Sequence, residues 1–179
     1  MCSICELKIE FSVDHPLSLA VAVETRKAID AGLLPEPELP DDAVGAMRLR
    51  AKAIDTLKAA QQRLERSLPQ EELLALPDFF VLMIESRSWG FFRPTATGFD
   101  PDCQPDPPKV AAEDASQRDA VLVASELAMN EIAMGRMSFE RALGERVVAL
   151  DADRERYGRL ASAWTRAYPD AAFSRFVCA

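Results

Sequence analysis

Two thiols open the chain, Cys2 and Cys5, and the only histidine, His15, follows soon after them. Two thiolates in a Cys-x-x-Cys spacing can close on one metal ion with bonds of about 2.3 Å, because the intervening chain turns tightly. His15 is the candidate third ligand if the segment between folds back, and Cys103 or Cys178 the candidate fourth. Thiolates with an imidazole favour Zn or Fe over Mg or Ca. The same spacing serves redox pairs, but those want the first Cys at a helix N-terminus, and here a strand-like stretch follows. A strong zinc signature has two such pairs, and this chain has one. The competing reading makes the thiols incidental and gives His15 a local hydrogen bond at a helix start.

A second group is Arg87–Arg93, RSWGFFR, in which Arg87 and Arg93 flank Trp89, Phe91 and Phe92. Guanidinium groups beside aromatic faces can grip a ring or an anion by stacking and paired hydrogen bonds. That makes Arg87, Trp89, Phe92 and Arg93 candidate ligand-binding residues, against a simpler reading in which Trp89 and Phe92 form a core corner. Glu126 and Asn130, four apart, share a helix face and could line a pocket, although a solvent stripe or an inter-helix hydrogen bond explains them as well.

Several chemistries find no support. A di-iron carboxylate bundle needs Glu-x-x-His pairs, and the chain has none. Ser-His-Asp catalysis would rest on His15 alone, with no Gly-x-Ser-x-Gly elbow. The glycines have neither Walker nor dinucleotide spacing.

These residues need a scaffold. At 179 residues with a net charge of -8, the chain is long enough for one domain and too acidic for duplex nucleic acid or anionic lipid to be the main partner. The charge is uneven: residues 1–47 carry three basic and nine acidic groups, whereas 48–68 carry six basic and two acidic. No secretory signal is visible and no apolar run is long enough to span a bilayer. The expectation is a cytoplasmic protein without structural disulfides.

Leu7, Ile9, Phe11 and Val13 alternate with polar residues, a short strand that could pair across a homodimer. A helix is expected from Asp14-His15-Pro16 to Gly32, with Asp14 as its cap and its first turns buried all round. Residues 33–41 read as a Pro-rich loop. Asp41 or Asp42 then caps a long helix to about Ser67, with Met47, Ala51, Ile54, Leu57, Leu64 and Leu68 as its apolar stripe. A short helix runs to Leu76. The block Phe79–Ile84 is a buried helix or a buried strand, which periodicity does not decide.

The segment 93–110 is a second Pro-rich loop, pinned by Phe99 and Cys103. Residues 117–134 read as one helix through Val121, Ala124, Ala128 and Ile132. Ser138 caps another. Val147, Val148 and Leu150 form an apolar link. The last long helix starts at Asp151 or Asp153, with Tyr157, Leu160, Ala161 and Trp164 inward.

Together these elements predict an all-α fold: a single helical domain, residues 1–179, of five to seven helices with residues 1–15 as an extended arm. Two functions fit. One is a metal-binding (Zn or Fe) protein using Cys2, Cys5, His15 and Cys103, with a catalytic or regulatory task. The other is a metal-free interaction or small-molecule-binding module.

Overall fold

The computed structural model describes residues 14–37 and 42–170. The undecided run is a strand: β1, Phe79–Met83, has all five residues buried. A central strand is covered on both faces, so its sequence is continuously apolar and carries no period. β5, Ala120–Ala124, is buried in the same way and pairs parallel to β1 from Phe79↔Ala120 to Met83↔Ala124. Two antiparallel strands flank this pair. β2, Ser88–Phe92, returns along β1, and β6, Val148–Asp151, lies along β5, giving the order β2-β1-β5-β6.

This sheet corrects the all-α expectation: the chain is mixed α/β, not a helical bundle. The predicted helix over 117–134 is β5 followed by α4, Glu126–Ala133. Val121 and Val123 face one side of the sheet while Ala120, Leu122 and Ala124 face the other. The helical spacing of Val121 and Ala124 was coincidental. The apolar link at 147–150 is β6, and Trp89–Phe92 lies in β2. The expected Leu7–Val13 strand lies outside the described residues.

The helices follow their caps. α1 is Ser18–Asp30, stopped by Gly32 at φ +71, a left-handed position that suits glycine. Its start is held by His15, whose Nδ1 accepts the Leu17 N–H at 3.1 Å, and not by Asp14. Its first turns are not buried all round: Leu19 is 75% exposed. α2, Ala43–Ser67, is capped by Asp42, which accepts the Gly45 N–H at 2.7 Å. Its 25 residues span about 38 Å. The buried stripe begins at Ala53 and continues through Leu57, Ala60 and Leu64, so Met47 and Ala51 stand in solvent. α3, Gln70–Leu74, and a small hairpin of β3, Pro94–Thr95, with β4, Gly98–Phe99, close one end. α5, Phe139–Gly144, and α6, Arg154–Ala167, start at Ser138 and Asp153 as expected, although Tyr157 is exposed.

The sheet has two unequal faces. Against one, Phe79, Val81, Leu122 and Phe92 pack with α2, α4, α5 and α6, and Trp164 stacks on Phe139 at 5.3 Å. Against the other, Phe80, Leu82, Trp89, Phe91, Val121 and Val123 meet Val21 and Leu17 at the start of α1, with Val110 and Cys103 from the long loop. No helix among the described residues is long and apolar enough to cross a membrane.

Gly90 lies under α2, where an added Cβ would come within 3.1 and 3.2 Å of the two Leu57 methyls and 3.2 Å of the Phe92 ring. Gly90→Val should therefore lower stability by about 1–3 kcal/mol, the cost of overpacking a filled core, measured by urea denaturation at constant slope.

Candidate functional site

Because β1 and β5 are parallel, they end on the same side of the sheet, where open α/β sheets commonly hold their ligands. Each strand end is followed by a Glu beside a Ser: Glu85-Ser86 after β1 and Ser125-Glu126 after β5. The two carboxylates cross over. Glu85 Oε1 accepts the Ser125 hydroxyl at 2.7 Å and Oε2 the Glu126 N–H at 2.8 Å. In return Glu126 Oε1 accepts the Ser86 N–H at 2.9 Å and Oε2 the Glu85 N–H at 3.0 Å. Glu85 thus caps the first turn of α4, where negative charge is favoured, and Glu126 ties down the β1–β2 turn. That turn contains Arg87 at φ 53.

Glu126 is buried. Burial pushes its carboxyl up to about 8, and the adjacent Glu85 acts in the same direction through hydrogen bonding and charge, against the Ser86 donors that favour the anion. A carboxylic acid that holds its proton near neutral pH is able to donate a hydrogen bond or exchange a proton with a bound molecule.

The pair floors a crevice of about 590 Å³. Asn130 and Leu127 from α4 extend the floor, Gly45, Arg48, Leu49 and Lys52 from α2 form one wall, and Glu36 and Pro37 from the connection after α1 form the rim. Arg48 and Lys52 are one helical turn apart and exposed. Glu36 is already engaged, accepting from Arg26 at 2.8 Å. A second concavity, of about 360 Å³, lies between α2 and the end of α6. Its Arg63 donates to the Ala167 carbonyl at 2.9 Å and covers the Tyr168 ring, while Gln62 and Arg66 also line it, with no acid among its lining residues.

The residues singled out in the sequence are scattered. Cys2 and Cys5 lie outside the described residues. His15 is buried: its Nδ1 accepts the Leu17 N–H, and its Nε2, without a hydrogen-bond partner among the described residues, sits 3.3 Å from Asp151 Oδ2. Cys103 is a free, partly buried thiol packed against the second face of the sheet. Among the described residues no group of three or more His, Cys, Asp or Glu is placed to hold a metal ion, so nothing there supports the metal-binding description, and the helical-bundle part of it is corrected by the sheet.

Arg87, Trp89, Phe92 and Arg93 do not converge. Trp89 and Phe92 belong to opposite faces of the sheet. Arg93 is exposed, donating to Asp78 at 3.0 Å and lying over the Phe91 ring. Glu126 and Asn130 do share a face and do line a pocket. Sequence reasoning missed Glu85, Arg48 and Lys52. The signal for Glu85 was present: two buried apolar runs, each followed at once by a Ser and a Glu, put two carboxylates at one sheet edge once both runs are read as strands.

No protein family, curated protein or solved structure matches this chain.

A carboxyl raised from 4.5 toward 8 on folding gives stability that is fully present below about pH 4.5 and is lost as pH rises toward 8, because the unfolded chain releases the proton first. Urea denaturation between about pH 6.5 and about pH 8, above the ordinary value of the lone His15, should show stability falling with a slope approaching one proton per chain. In Glu126→Gln that slope should vanish. The variant should also be about 1–3 kcal/mol less stable at the acidic end, because an amide cannot accept both backbone N–H groups with separate oxygens.

Proposed function

We propose that this chain binds a small polar molecule in the crevice at the C-terminal ends of β1 and β5, with no metal taking part. The observation that carries the reading is the arrangement across one concavity of two cations, Arg48 and Lys52 on the α2 wall, and a hydrogen-bonding acidic floor made by Glu85, Glu126 and Asn130. The acids on the floor are satisfied by backbone donors and by Ser125. Among the described residues no ion pair engages Arg48 or Lys52. A ligand with an anionic group at one end and an amine or hydroxyl at the other would meet both halves. Its acidic end takes the two cations and its donor end takes Glu126 or the Asn130 amide.

The volume falls within the usual 300–1,000 Å³ of small-molecule sites. The raised Glu126 carboxyl gives the site a group able to move a proton, which supports binding of a molecule whose own protonation changes on binding.

Three probes test the reading: inorganic phosphate for the anionic end alone, ethanolamine for the cationic end alone, and phosphoethanolamine for both. Phosphoethanolamine should bind at least about tenfold more tightly than either half, by isothermal calorimetry, with backbone amide shifts at Glu85, Ser86 and Lys52. An Arg48→Ala, Lys52→Ala double variant should lose about 1–3 kcal/mol of that binding with its melting temperature unchanged, since both side chains are exposed. Equal affinity for all three probes, or shifts confined to another surface, would defeat the proposal.

A further inference from the structure

A second group of titratable side chains lies away from the crevice, where α1 meets the sheet. His15 precedes α1 and is 3% exposed. Its surroundings are suited to a neutral ring. Nδ1 accepts the Leu17 N–H and so carries no proton, which places the ring proton on Nε2, facing Asp151. Protonation would put a hydrogen on Nδ1 and remove the acceptor that holds the first turn of α1. The cation would also stand at a helix N-terminus, where positive charge is disfavoured, and the first turn of α1 offers no acidic residue to offset it. The charged groups facing the ring are Asp151 from β6 and Arg118 from the segment before β5; the neighbouring Asp14 is exposed. Asp151 would favour the cation, but its other oxygen already pairs with Arg118 at 3.0 Å.

The rest of this contact is weak. α1 presents Ser18, Val21, Thr25 and Ala28 along one face, and Ser18 Oγ and Thr25 Oγ1 are shielded without a hydrogen-bond partner among the described residues, as is Arg118 Nε. Val21 is the one fully buried apolar side chain that α1 gives to this face of the sheet. The far end of the helix is held separately, by Ala28 and Leu34 in the main core.

We infer that α1 is an acid-released cover: protonation of His15 lets residues 15–25 lift from the sheet about the anchored Ala28–Leu34 end, taking Val21 off the face of β5. Burial and Arg118 hold the imidazole below its ordinary value of 6.5 while α1 is docked, with Asp151 opposing. The lifted state recovers the ordinary value. Lifting is therefore favoured as pH falls from about 6.5 through the lowered value, and is constant below it. This release does not depend on the crevice binding anything.

The full chain carries one histidine, so its imidazole resonances can be followed without ambiguity in a tag-free protein. Hydrogen exchange, corrected for intrinsic rates, should rise about tenfold or more in residues 18–25 between about pH 7.5 and about pH 5, with β1 and α6 unchanged, and its midpoint should coincide with the imidazole titration. In His15→Asn, which keeps an acceptor for the Leu17 N–H and cannot titrate, the rise should disappear. In Asp151→Asn both midpoints should move lower together. Exchange in α1 that ignores pH, a rise that persists in His15→Asn, or midpoints that separate in wild type or in Asp151→Asn would overturn the inference. If His15→Asn does not fold, the wild-type and Asp151→Asn midpoints decide it.

Discussion

Two strands from distant parts of the chain end at the same level, and each leaves backbone N–H groups that the ladder no longer serves. The crossed carboxylates of Glu85 and Glu126 meet that need. Each accepts from the other segment's backbone, so the β1–β2 turn and the start of α4 are fixed by one reciprocal contact. Buried N–H groups without partners cost about 1–3 kcal/mol each. Two acids side by side in a shielded place are themselves unfavourable when both are charged. The result is a strand edge at which Glu126 is held toward its protonated form, because the geometry that satisfies the backbone buries it and sets it beside Glu85. The chemistry of the crevice follows from that compromise.

The two faces of the sheet divide the labour. One carries the aromatic stack of Phe79, Phe92, Phe139 and Trp164 beneath α2, α4, α5 and α6 and accounts for most of the buried apolar surface. The other has an aromatic group of its own, with Phe80 packed against Phe91 at 4.8 Å, and among the described residues it meets the start of α1 and the long loop. Stability is accordingly uneven. The sheet and α6 belong to the cooperative core, whereas α1 is tied at one end by apolar packing and at the other by polar groups that are incompletely paired.

Much of the helical half of the fold was legible, because caps and stops are local chemistry. Ser138 caps its helix as expected, Asp42 and Asp153 are the ones of the two expected pairs (Asp41 or Asp42, Asp151 or Asp153) that cap, Asp14 does not cap α1, and Gly32 ends α1 in the left-handed position. The sheet was not legible, because its central strands are buried on both faces and so lose the alternation that marks a strand. Ala120–Ala124 was absorbed into a helix because Val121, Ala124, Ala128 and Ile132 happen to keep helical spacing across a boundary at Ser125. That error hid the parallel pairing, and with it the meeting of Glu85 and Glu126. Glu126 and Asn130 share a face as expected because that part is helix, but the face lines a pocket and is not the solvent stripe or inter-helix hydrogen bond that the sequence favours. His15 was read as a metal candidate from residue type alone; its local hydrogen bond at the helix start, the simpler alternative, is the contact the fold makes.

The long helix α2 is buried only from Ala53 onward. Its first ten residues, which carry Arg48 and Lys52, contain no fully buried side chain, so the two cations stand opposite the acids without core packing of their own. On the proposed reading, the width of the gap is then set by the guest more than by the core. Selectivity in such a jaw would come from charge placement at the two ends of a guest more than from its length.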